Sequence, residues 1–178
     1  MRTIVLVGFP GSGKSTVGRR LASRLSIPFF DTDSYFEKKY HITIPDFFCK
    51  YGEAYFRICE RAVLEELLSL PPCVVATGGG TPCYADSMQL INSSAISVYI
   101  KMAPKSLLER LSLSKKERPL LSGKTPGQIA DFIAEAFPVR ESYYSQARIC
   151  VKGESLQLDP LIETLLQIPD FDMTLEKT

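Results

Sequence analysis

A chain of 178 residues with 45% apolar and 23% charged side chains has the balance of one ordinary globular domain (1–178), and no low-complexity segment interrupts it. Its net charge of +1 creates no broad field toward nucleic acid or an anionic membrane. Five cysteines (Cys49, Cys59, Cys73, Cys83, Cys150) are odd in number, widely spaced and form no Cys-x-x-Cys pair, so zinc and redox frameworks are disfavoured.

The cysteine pattern predicts reduced, mostly buried thiols of a cytosolic protein. The first apolar run is too short for a signal segment, and no stretch has the ~18 apolar residues needed to cross a bilayer. A soluble, cytoplasmic protein is expected.

In chain order, residues 3–8 read as a strand that is apolar on both faces, as in a parallel sheet. "KSTVGRRLASRL", 14–25, reads as an amphipathic helix with Val17, Leu21 and Leu25 on one face. Residues 27–30 form a second short strand ending in "DTD". Short helices are expected at 34–40 and 44–50, and a longer one at 52–69. "CVVATGGG" is a third strand running into a glycine turn, and 95–102 is a fourth. Residues 104–113 are helical. The polar, basic segment 112–125 reads as a mobile lid. A helix over 126–145, a strand in "ARICVK" and a helix near 158–167 complete the pattern, before a tail at 169–178 expected to be disordered. Strands alternating with helices predict a three-layer α/β fold whose ligands gather at the carboxyl ends of the strands.

"GFPGSGKST", 8–16, fits the pattern Gly, four residues, Gly-Lys-Ser/Thr, placed between a strand and a helix. By average residue usage a chance match in such a chain is on the order of one percent. Glycines let the backbone turn its N–H groups inward, and the helix N-terminus adds positive potential at the same spot. Gly11, Ser12, Gly13, Lys14, Ser15 and Thr16 would wrap a nucleotide's phosphates. Lys14 would reach the β- and γ-phosphates, and the Ser15 hydroxyl would ligate Mg²⁺. Such a site needs a carboxylate near the metal. The second strand is the one that ends in acids, which makes Asp31 and Asp33 candidates for the metal and acceptor sides. "DTDS" is also a good helix cap, so capping alone is the competing reading.

Other features admit two readings each. Arg57 in "GEAYFR" is either an acceptor ligand or half of a solvated i,i+4 pair with Glu53. "TGGG" permits close backbone approach to a ligand, or is a tight turn. Arg118 in "ERPLL" and Arg140 are surface arginines by default.

Taken together, "GFPGSGKST", "DTD" at 31–33, "GEAYFRICE" at 52–60, "GGG" at 78–80, "RPLL" at 118–121 and Arg140 followed by "YY" resemble shikimate kinase over roughly residues 1–152. The resemblance implies a P-loop NTPase fold of the nucleoside-monophosphate-kinase type, with a five-stranded parallel sheet in the order 2-3-1-4-5. It implies ATP- and Mg²⁺-dependent phosphorylation of the shikimate 3-hydroxyl, a step toward chorismate. By position, Asp33 would hold the reacting hydroxyl and accept its proton. Arg57 and Arg140 would clamp the carboxylate, and Gly79 and Gly80 would meet the acceptor through their backbone. Asp31 would lie near Mg²⁺, Arg110 would stack on the adenine, and Arg118 would swing in with the lid; Lys14, Asp33 and Arg118 are the expected catalytic set. The expected partner is the small molecule shikimate, with no nucleic acid and no membrane, and the expected state is a monomer. Two other readings stay open: a different small P-loop kinase, such as one acting on gluconate or a nucleoside monophosphate, and a silent nucleotide-binding module.

Overall fold

In a computed structural model that describes residues 2–113, 123–169 and 171, the chain builds a five-stranded sheet of β1 (Ile4–Val7), β2 (Phe29–Asp31), β3 (Val74–Ala76), β4 (Ile96–Lys101) and β5 (Ile149–Lys152). Its order is β2-β3-β1-β4-β5 and every neighbouring pair is parallel, with Ile4 opposite both Val74 and Ile96. β1 and β3 are apolar and buried throughout, because both of their faces are covered.

The helices divide between the two faces. α1 (Lys14–Leu25) and α7 (Leu158–Leu166) cover one, where Leu21, Leu25, Leu161 and Leu165 meet Ile4, Leu6 and Ile96. On the other face lie α2 (Thr32–Tyr40), α3 (Ile44–Ser69), α4 (Ser87–Ser94), α5 (Pro104–Ser112) and α6 (Pro126–Tyr144). Their Phe36, Val63, Leu64, Met88, Leu107 and Ile133 pack with Val5, Val7 and Tyr99. Alternate residues of one strand therefore feed different cores, the three-layer arrangement expected from the βα alternation.

α1 and α6 follow the sequence boundaries closely. α3 spans both helices expected around residue 51 and breaks at Gly52, whose φ of 79° and ψ of 168° lie outside helical space. Two elements went unread in the sequence: a 3-10 turn at Thr81–Cys83 and α4, which is short, polar at its ends and begins without a side-chain cap. The expectation of mostly buried thiols needs correction. Cys59 and Cys73 are buried and Cys83 is half-buried, but Cys49 and Cys150 face solvent, the latter on edge strand β5. All five are free. The lid expected at 112–125 falls mainly on residues outside the described set, as do Arg118 and most of the expected tail. Among the described residues no helix is long and apolar enough to cross a membrane.

Candidate active site

The site forms where β1, β2 and β3 end. After β1 the glycine loop turns sharply: Gly11 and Gly13 have φ of 90° and 97°, values that a side chain tolerates poorly, and Gly13 caps α1. The Ser12 N–H bonds back to the Phe9 carbonyl at 3.1 Å. Lys14 is buried and donates to the carbonyls of Gly8 (2.7 Å) and Phe9 (3.1 Å), which hold its ammonium over the loop. The Ser15 hydroxyl donates to Asp31 Oδ2 at 2.6 Å. Asp31 Oδ1 accepts from the Ser34 N–H at 3.3 Å. Asp31 thus caps α2 with one oxygen, as the capping reading of "DTDS" expects, and meets Ser15 of the glycine loop with the other.

These residues open onto a cavity of about 860 Å³. Gly11, Gly13, Lys14, Ser15, Thr16 and Asp31 line it, whereas Ser12 is buried beneath the loop against Gly8. Arg110 also lines it, with Nη1 3.4 Å from the place a Gly13 Cβ would take.

Asp33, Arg57, Gly79, Gly80 and Arg140 line the same cavity, although they come from four separate segments. Thr32 fixes the first of them: its buried hydroxyl accepts from the Gly78 N–H at 2.8 Å and ties the start of α2 to the end of β3. A Cβ on Gly78 would lie 2.6 Å from Asp33 Oδ1 and 3.1 Å from Glu60 Oε1. A Cβ on Gly79 would strike Pro10 at 2.6 Å, and one on Gly80 would strike Arg57 Nη1 at 2.7 Å. At Gly79 the close approach of the rigid Pro10 ring demands glycine, whereas at Gly78 and Gly80 a Cβ would have to displace the ends of Asp33 and Arg57.

Arg57 is held on two sides. Nη1 pairs with Glu60 Oε2 at 2.8 Å and Nη2 with Glu53 Oε1 at 2.9 Å. Glu60 is itself buried and accepts from the Thr81 hydroxyl at 2.6 Å. Burial opposes the Arg57 charge, but Glu60 and Glu53 outweigh it and the net pKa shift is upward. Arg140 lies near the rings of Phe9 (5.6 Å) and Phe132 (5.5 Å), which also touch each other at 5.8 Å, a cation–π cluster that joins α6 to the phosphate loop.

A nucleotide-phosphate loop, a carboxylate and two fixed guanidinium groups thus share one cavity. The sequence model described as shikimate kinase matches residues 10–168. The chain belongs to the shikimate kinase family. A shikimate kinase of Bacteroides fragilis is 39% identical over 167 residues, covering 94% of this chain and 93% of its own. One of Caulobacter vibrioides is 44% identical over 151 residues, 85% of this chain and 74% of its own. The crystal structure of shikimate kinase from Bacteroides thetaiotaomicron superposes with a TM-score of 0.88 at 35% identity, covering 93% of this chain and 98% of that one. Shikimate kinase from Acinetobacter baumannii, solved in complex with shikimate, gives a TM-score of 0.78 at 35% identity, covering 94% and 92%. The fold is that of a P-loop phosphotransferase, with the sheet order the resemblance implied.

Sequence reading missed several groups in and around this cavity. Glu60 stands three residues after Arg57 on one helix face, a spacing that could have flagged it; Thr32 and Thr81 had no local signal, because each acts through a distant segment. Phe48, Phe56 and Phe132 line the cavity as well as Glu60, whereas Thr32 and Thr81 act from behind it.

Proposed function

We propose that the chain transfers the γ-phosphoryl group of ATP to the 3-hydroxyl of shikimate, releasing ADP and shikimate 3-phosphate. The observation that carries this reading is the sharing of one cavity by Lys14, Asp33, Arg57 and Arg140. Phosphoryl transfer asks for positioning and charge neutralisation more than covalent help from the protein. The loop N–H groups and Lys14 neutralise the phosphates. Asp33 orients the acceptor hydroxyl and takes its proton as the oxygen attacks. Arg57 and Arg140 grip the acceptor carboxylate, since a planar guanidinium can donate two parallel bonds to it. Gly79 and Gly80 meet the acceptor ring through backbone. Gly11, Ser12, Gly13 and Thr16 complete the phosphate cradle, Arg110 takes the adenine, and Arg118, outside the described residues, is assigned to the phosphates by its sequence position.

Ser15 and Asp31 suit Mg²⁺: both offer hard oxygen ligands, already within 2.6 Å of each other, and this ion prefers one or two such groups plus phosphate and water. When bound, the ion spreads the charge of the β- and γ-phosphate oxygens. The reading further includes a cytoplasmic monomer with no nucleic-acid or membrane partner, in keeping with the net charge of +1.

ADP release measured with and without shikimate and magnesium tests the proposal. Release that needs both is expected. Release that ignores shikimate, or that responds better to gluconate or a nucleoside monophosphate in an acceptor panel, rejects it.

A further inference from the structure

The acceptor loop has a conformational problem of its own making. A Cβ on Gly79 would strike the rigid Pro10 ring at 2.6 Å, and one on Gly80 would have to displace the Arg57 guanidinium, 2.7 Å away and held by two glutamates. Two adjacent glycines leave the peptide between them free to turn over, since neither resists positive φ. Gly80 now has φ of −93°; turning the peptide over would move it into the positive range that glycine alone accepts readily. A trans peptide is planar, so the Gly79 carbonyl and the Gly80 N–H point in opposite directions. One orientation offers the cavity a donor. The other offers a carbonyl oxygen, which repels an anionic acceptor.

A side chain far along the chain decides between them. The Tyr144 hydroxyl donates to the Gly79 carbonyl. The half-buried Cys83 thiol lies 4.0 Å from the same oxygen as a second, weaker donor. The Tyr144 ring is buried and packs against Tyr99 at 5.4 Å, which fixes where the hydroxyl points. Burial above all holds this phenol well above its ordinary pKa, so it stays a donor at any working pH; the groups facing it are Cys83 and Arg140. Tyr144 stands one helical turn after Arg140 on α6, so a single helix supplies both a carboxylate clamp and this contact. The Gly80 carbonyl is engaged by the Cys83 N–H at 2.9 Å, which pins the other end of the unit.

We propose that Tyr144 is a positioning residue that locks the Gly79–Gly80 peptide with its N–H toward the acceptor. Its effect on catalysis rests on the shikimate reading above; its effect on the peptide does not.

Tyr144→Phe keeps the ring against Tyr99 and removes the donor. The shikimate KM is expected to rise about three- to tenfold, the range for one lost hydrogen bond, while the ATP KM stays within about twofold. In nitrogen-15 spectra without any ligand, the Gly80 amide signal is expected to be single and sharp in the wild type and broadened or doubled in the variant. An unchanged Gly80 signal overturns the proposal. So does an unchanged shikimate KM, and so does a parallel rise of both KM values, which would report general loosening. If the variant does not fold, the wild type decides: a slowly exchanging Tyr144 hydroxyl proton is expected, and a rapidly exchanging one overturns the lock. Should the wild type fail to turn over shikimate at all, the Gly80 signal still tests the lock by itself.

Discussion

The two halves of the cavity are held by different means. The phosphate half is nearly continuous in sequence, from Gly8 to Thr16, and its own backbone shapes it: Lys14 binds carbonyls of the loop, and Ser12 bonds back to Phe9. The half proposed for the acceptor draws Asp33 from α2, Arg57 and Glu60 from α3 and Arg140 from α6, with Tyr144 of α6 behind the lining. Each of these helices is tied to another segment: Thr32 to Gly78, Glu60 to Thr81, Arg140 to Phe9 and Tyr144 to Gly79. A loop motif carries its geometry with it, whereas an acceptor pocket assembled from distant helices is no more accurate than the fold that joins them. Substitutions at its partners should therefore cost stability as well as binding.

Four changes test that contrast. The largest effect is expected at the junction of the halves. Asp33→Asn should lower turnover at least ~100-fold, the usual range for loss of a general base, with ATP binding by calorimetry kept. A variant retaining most of its turnover would take Asp33 out of the reaction. Glu60→Ala should strike both properties at once. It leaves Arg57 half-buried beside an empty space, which should destabilise the fold by about 2–3 kcal/mol in denaturant titrations, below the full cost of breaking a buried pair because Glu53 remains. The shikimate KM should rise in the same variant. Full stability with a normal KM would show that the acceptor half does not depend on its inter-helix ties.

Gly52→Ala tests backbone strain apart from contacts. No atom lies within 4 Å of the added Cβ, but φ of 79° with ψ of 168° is essentially glycine-only, so a loss of about 1–3 kcal/mol is expected in thermal melts. An unchanged midpoint would mean the break relocates freely. The smallest effect is expected far from both halves. Arg24→Ala removes a 2.6 Å pair with Asp159 between side chains 59% and 70% exposed, and should change stability by less than ~0.5 kcal/mol, with normal kinetics. A larger change would mark α7 as more tightly coupled to α1 than its packing implies.

Legibility followed the same division. β1, the loop and α1 were readable to within a residue or so, since apolar run, glycines and four-residue periodicity are contiguous signals. The helix break expected near residue 51 falls at Gly52, the first residue of the second expected helix. α4 was not readable, because "SMQLINSS" is brief and lacks a side-chain cap. Solvent exposure of Cys49 and Cys150 was misjudged, since cysteine chemistry favours burial but the face on which a residue falls depends on what packs there. Arg57 was visible as an arginine at i,i+4 from Glu53; that its decisive partner is the buried Glu60, bridged to Thr81, was not.

By itself the sequence determined the strand–helix alternation, the phosphate loop and the set of charged residues from which an acceptor site could be drawn, because each of these is encoded by neighbours within a few positions. The tertiary structure decided which of those charges meet. It set Arg140 over Phe9, placed Asp33 against Gly78 and brought Tyr144 to the Gly79 carbonyl across 65 positions of chain. Contacts of that reach are fixed when helices pack on a sheet, where burial selects one arrangement of whole elements and local sequence preference has no say.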